Sequence, residues 1–138
     1  MISNPKHGWC NFNLDDCYKG TPSYLTDVPV DLLTAFIDFH EKGCGAAWFN
    51  EEGEEFTIVL TPYSLFIIEE KDKPILHDFL EINIEELEKE LIRDIEFALD
   101  DWQYFITDNN PVIIENHRKL ILEKIEILKK YVRGEIWD

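Results

Sequence analysis

The chain is 138 residues long, enough for one domain that buries about two-thirds of its unfolded surface. Hydrophobic residues make up 45% of it, which excludes a disordered tail or a fibrous repeat. Its 29 acids against 13 bases leave a net charge of −16, a field that repels phosphate backbones and anionic lipid and argues against direct contact with nucleic acid or membrane.

Residues 8–14 read as a first strand, with Cys10, Phe12 and Leu14 on one face and Trp9, Asn11 and Asn13 on the other. Residues 15–23 hold Gly20 and Pro22 and read as a loop. Residues 27–43 read as a helix. Asp27 or Val28 serves as N-cap, Pro29 suits the first turn, and Gly43 suits the residue after the C-cap. Val30, Leu33, Phe36, Ile37 and His40 set its apolar stripe.

Three or four strands follow. Residues 46–50 lead to a turn at Glu51-Glu52-Gly53, and Phe56, Ile58 and Leu60 then alternate with Thr57, Val59 and Thr61. Residues 63–69 form another β-rich run, Lys71-Asp72-Lys73-Pro74 marks a turn, and residues 75–79 read as an edge strand. Short turns between such runs predict antiparallel hairpins.

Asn83 with Glu86 opens a helix as a capping box. Its stripe of Ile84, Leu87, Leu91, Ile95, Leu99, Trp102 and Phe105 is expected to run unbroken and to pack on the sheet, opposite a mostly acidic face. After Asp108-Asn109-Asn110, Pro111 starts a last helix running to about residue 133, with Ile114, His117, Ile121, Ile125, Leu128 and Val132 facing inward. Gly134 ends it, and Trp137 in the tail is expected to fold back. The order β-α-β-β-β(-β)-α-α predicts a single α+β domain over 1–138. It has an antiparallel sheet of about four strands, and its last two helices pair antiparallel.

The longest apolar runs are four residues, so no segment spans a bilayer, and residues 1–6 carry no secretory signal. Three cysteines, Cys10, Cys17 and Cys44, fit reduced thiols in the cytoplasm better than a disulfide framework. Residues 1–110 hold 24 acids and 7 bases, whereas residues 111–138 hold 5 acids and 6 bases. The last helix is thus nearly neutral beside an acidic body, which makes it the expected seam of a weak homodimer if the chain is not a monomer.

No reaction motif stands out. His40 with Cys44, and His7 with Cys10, have spacings that two zinc ligands could use, but neither is a CxxC pair, and the simpler reading is a half-buried imidazole and small apolar thiols. Glu86, Glu90 and Asp94 form an i, i+4, i+8 ladder without the alternating ligands and central glycine of a calcium loop. His77 and Asp78 adjoin in a strand and therefore point to opposite faces. There is no GxSxG elbow, GxGxxG or Walker motif. These readings predict neither enzyme, metal site nor cofactor. Trp9, Tyr18, Tyr24 and Trp48 lie near loops or on the outer faces of strands; each reads first as a core residue, and if exposed beside acids as an anchor for a protein partner.

In size, acidity and lack of a catalytic motif the chain resembles the small bacterial immunity proteins of polymorphic-toxin and contact-dependent inhibition systems. Gly8-Trp9-Cys10, Ser23-Tyr24-Leu25-Thr26-Asp27-Val28-Pro29 and Asp31-Leu32-Leu33 also read like a small bacterial family of uncharacterised proteins, over about the first third of the chain. These motifs specify structure rather than chemistry, and no functional residue carries over. The resemblance implies a protein that binds a basic cognate toxin, often a nuclease, and occludes it. Carboxylates would take the place of substrate phosphates against toxin Lys and Arg. The candidate acids are Glu51, Glu52, Glu54 and Glu55 at the hairpin, or Glu86, Glu90, Asp94, Asp100 and Asp101 on the long helix. Two rivals share the same features. One is a phage-type anti-defence inhibitor that mimics nucleic acid. The other is a small ligand-binding domain or enzyme with a pocket between sheet and helices.

Overall fold

The computed structural model describes residues 1–132, so the readings placed on Gly134 and Trp137 lie outside the described residues. Strands β1 (Ile2–Lys6) and β2 (Trp9–Leu14) form an antiparallel hairpin around His7 and Gly8, both with positive φ. Strand β3 (Tyr18–Gly20) pairs with β2 to complete a three-stranded sheet. Of these three only β2 shows the expected alternation, with Cys10, Phe12 and Leu14 buried. The stretch read as loop contains β3, which is too short to carry a period. β1 is bulged: its register shifts between Ser3 and Lys6, where Asn4 adopts a left-handed φ of 53°.

Helix α1 (Val28–Lys42) begins after the N-cap Asp27 and ends at Gly43, whose φ of 87° and N–H bond to Phe39 O form the left-handed cap. Asp27 makes no side-chain cap bond. Strands β4 (Gly45–Asn50), β5 (Glu55–Leu60), β6 (Leu65–Glu70) and β7 (Ile75–Phe79) then form a second, wholly antiparallel sheet in the order β4-β5-β6-β7. Helix α1 lies on β4 backbone to backbone: a Cβ at Gly45 would sit 1.9 Å from Ala35 O. The two sheets meet through Phe12, Tyr18, Phe49 and Phe56, whose ring centroids lie 5.1–6.3 Å apart. Such pairs add about 0.5–1.5 kcal/mol each beyond their buried area. Buried Ser23 ties the sheets together again, since both its N–H and its hydroxyl donate to Asn50 O.

Helix α2 (Ile84–Phe97) is capped by Asn83 Oδ1, which accepts from Glu86 N at 3.1 Å. The stripe expected to run unbroken to Phe105 is interrupted at Ala98 (φ −124°, ψ 32°), and a short helix α3 (Leu99–Trp102) follows. The Ala98 carbonyl accepts from both Asp101 N and Trp102 N at this corner. The corner turns Trp102 and Phe105 inward, where both are buried with rings 5.4 Å apart. Helices α2 and α3 pack on β1 of the smaller sheet.

Helix α4 (Pro111–Tyr131) is capped by Asn110 Oδ1 and buries His117, Ile121, Ile125 and Leu128. It lies close to α2 and α3. Glu96 meets Lys129 at 3.0 Å, whereas the later Asp100 meets the earlier Arg118 at 2.8 Å. It runs parallel to α1, with His117 beside Asp27 at one end and Tyr131 stacked on His40 at the other. The chain is therefore α+β, with α1 held between the four-stranded sheet and α4. Among the described residues no helix is long and apolar enough to cross a membrane.

Candidate functional site

The acids singled out in the sequence fall into three groups. Glu90 and Asp94 are engaged with the chain itself. Both bind the buried ammonium of Met1, Asp94 at 2.7 Å, and Asp94 also accepts from Ile2 N. Glu86 lies 3.5 Å from Lys89, and Asp100 pairs with Arg118. The α2 ladder is thus largely a fastening for β1 rather than an open row of carboxylates. Asp101 lines a groove of about 570 Å³ between the β1–β2 turn, Tyr24 and Tyr104. The hairpin acids remain outermost. Glu52 and Glu54 are exposed at the β4–β5 turn, and Glu51 accepts from Thr21 N at 2.8 Å.

Glu55 belongs to a larger feature. Pairing in the four-stranded sheet aligns Trp48, Thr57, Ile68 and Leu76 in one row across the outer face. Ala46, Val59, Phe66 and Asp78 form the next row, and Glu55 lies opposite Glu70 at one end. Helix α1 covers the other face, with buried Phe49, Phe56, Ile58, Leu60, Leu65 and Ile67. Strands that are apolar on both faces are normally covered on both. Among the described residues nothing covers the outer face, with Trp48 43% and Leu76 62% exposed. Its acidic rim is electrostatically loaded. A hydrogen bond with Glu55, then desolvation, then the Glu55 charge hold the Glu70 carboxyl above its ordinary value. Glu55 also accepts from Trp48 Nε1 at 3.0 Å, which ties the indole to the acidic rim.

The ligand spacings weighed for zinc come apart. Cys10 is buried, with its thiol pushed up to about 12 by desolvation, whereas His7 is exposed. Cys44 is exposed, and His40 turns instead to Glu88, with Nε2 2.5 Å from Oε1. Among the described residues no three His, Cys, Asp or Glu side chains gather as a metal site would require. His77 and Asp78 point to opposite faces, His77 inward against Glu69 at 2.7 Å.

Two buried acid–imidazole pairs were not legible as pairs. Glu88 is only 1% exposed, and desolvation followed by the Glu85 charge pushes it up to about 8. Burial lowers His40, against a weaker opposing pull from Glu85. Burial therefore pushes both members of the pair toward their uncharged forms. Its sequence signal was its place in the stripe, four residues after Ile84 and three before Leu91. The second pair is His117 with Asp27, at 2.9 Å, with the other ring nitrogen 3.1 Å from Gln103 O. Burial alone would lower His117, but the hydrogen bond and charge of Asp27 and the Gln103 carbonyl together raise it.

No protein-family model matches this chain, and neither a curated protein nor a solved structure matches it significantly.

Proposed function

We propose that this chain is a non-enzymatic inhibitor, acting in the cytoplasm, that binds a basic protein through the outer face of its four-stranded sheet. A cognate toxin of the immunity type, such as a nuclease, is the partner this reading favours. The observation that carries it is the apolar outer face of β4–β7, with Trp48 and Leu76 on its two edge strands and Glu55, Glu70 and Asp78 beside them. Contiguous exposed apolar surface rimmed by charge marks protein contacts in soluble domains. The −16 charge would speed encounter with a basic partner, and Trp48 and Leu76 would set the residence time. Bound this way, the carboxylates stand where substrate phosphates would lie. The chain works as a monomer or as a weak dimer through the exposed Ile113, Leu120 and Ile127 of α4, which recur every seven residues.

The test is capture from the source lysate on tagged protein, at low and then moderate salt, with mass spectrometry of what is retained. The expected result is one stoichiometric basic protein, retained less at higher salt, lost to Trp48→Ala/Leu76→Ser, and inhibited when the chain is added. Retention of no such protein, undiminished capture by the double variant, or full activity of the captured protein in the complex would overturn the reading.

A further inference from the structure

Where the start of α2, the end of α1 and the end of α4 converge, the described residues line an open cleft of about 270 Å³, formed by Phe39, His40, Ile84, Glu85, Glu88 and Tyr131. Three of the six are aromatic rings or an imidazole and two are acids, one of them buried at the wall. His40 stacks on Tyr131 with centroids 4.8 Å apart and planes 3° from parallel, so both rings are fixed. The Tyr131 hydroxyl donates to Glu41 at 3.2 Å, which steadies that wall from α1.

We propose that this cleft binds an alkylammonium group, with Glu88 as its buried anion, Glu85 at its mouth and the rings of Phe39 and Tyr131 as its walls. Aromatic faces and a desolvated carboxylate both attract an organic cation, and neither rewards a neutral chain of the same size. Glu88 is only 1% exposed and already bonded to His40, so a cation entering here shares its carboxyl with that imidazole. The inference does not depend on the inhibitor reading. The cation can come from a free alkylamine or from a lysine side chain of another protein.

Binding carries a proton with it. In the free protein Glu88 keeps its proton to about pH 8, bonded to His40. When the ammonium enters, the Glu88 O–H bond breaks and the proton leaves to solvent. The carboxylate then takes the ammonium while His40 stays at its other side. The charged and titratable groups around Glu88 are His40 and Glu41 from α1, Glu85 with its partner Lys89 from α2, and Tyr131 from α4. Below about pH 8 affinity should rise close to tenfold per pH unit, then level off.

The experiment is a proton–nitrogen NMR titration of the full chain with n-butylammonium, with Nα-acetyl-lysine amide, and with n-butanol as the neutral control. Millimolar dissociation constants are the scale a ligand this small permits, so each is carried to about 100 mM. Shifts confined to His40, Glu85, Glu88 and Tyr131 with the two amines but not the alcohol are expected, and they should saturate at lower concentration at pH 8 than at pH 6.5. Tighter binding of n-butylammonium points to a free amine, and tighter binding of the lysine amide to a protein side chain. Glu88→Gln should weaken binding at least tenfold and Glu85→Gln, at the exposed mouth, by about threefold. No localised shift with either amine, equal binding of butanol, or affinity in the wild type that ignores pH would overturn the assignment. The pH arm and Glu85→Gln decide the matter even where Glu88→Gln does not fold.

Discussion

His117 and Asp27 stand 2.9 Å apart across ninety residues of chain, joining the first turns of α4 to the N-cap of α1. Asp27 gives up the usual capping bond to make this contact. Because the folded protein holds the His117 proton more tightly than the unfolded chain, the pair contributes stability fully present below about pH 6.5. That contribution is lost as pH rises through the raised folded value. Asp31, pushed up to about 6 by burial and then by Asp27 against the opposing Lys124 charge, acts in the same direction on its own account. Urea melts of wild type and His117→Asn should therefore differ by about 1–3 kcal/mol at pH 5.5 and by clearly less at pH 9. An equal gap at both values would show that the imidazole acts only by packing.

Glu88 predicts an alkaline limit. Its folded value of about 8 lies above that of an unfolded glutamate, so the folded state binds more protons between about pH 4.5 and 8 and loses stability as pH rises through that window. Above pH 8 a charge is left buried. Glu88→Gln should be more stable than wild type at pH 9 by about 1–3 kcal/mol, and no more stable at pH 4. Thermal melts at the two values decide this.

Among the described glycines Gly45 is predicted to be the least replaceable. Its Cβ position lies 1.9 Å from the Ala35 carbonyl oxygen, which is backbone and cannot rotate aside. Gly45→Ala should cost about 3 kcal/mol or more by forcing α1 off β4. Gly43→Ala, with open space around it but φ of 87°, should cost about 1 kcal/mol, as a left-handed residue does. Denaturant midpoints of the two variants give the comparison.

Leu91 and Leu76 should respond oppositely. Leu91 is fully buried on α2, so Leu91→Ala should cost about 2–5 kcal/mol. Leu76→Ser, on the open sheet face, should change stability by less than about 0.5 kcal/mol. A large loss for Leu76→Ser in chemical denaturation would mean that this face is held by the chain itself.

The N-terminal fastening is also testable. Asp94 accepts from both the Met1 ammonium and Ile2 N, and Glu90 shares the ammonium. Both carboxylates are partly solvated, so Asp94→Asn should cost only about 1–2 kcal/mol. Hydrogen exchange should quicken at β1 before it quickens at β5. Unchanged exchange at β1 would show that the strand is held by pairing to β2 alone.

Much of the architecture was legible because periodicity reports burial. The alternation of Phe56, Ile58 and Leu60, the caps at Asn83 and Gly43, and the α4 stripe all appear where the residue spacing placed them. β1 and β3 were not legible. One is bulged around Asn4 and Pro5 and the other is three residues long, so their pairing with β2 is a tertiary gain with little local signal. The break at Ala98 escaped notice because apolar spacing continues across it while the backbone does not. The acids were legible as acids but not as partners. Nothing in the spacing of Glu90 and Asp94 announces the Met1 ammonium, because the contacts span about ninety residues.

The position of α1 also has a consequence during synthesis. One side of this helix rests on strands that follow it at once, whereas the other waits for α4, about 70 residues later in the chain. At ribosomal speeds of about 5–20 residues per second, that side stays uncovered for roughly 4–14 s. Leu32, Leu33 and Phe36 belong to a helix that ends with no exposed apolar side at all, so the nascent chain presents a sticky surface just when few of its own residues can cover it. A chaperone that engages apolar helices would find its target in this interval, and release would coincide with the arrival of Ile121, Ile125 and Leu128.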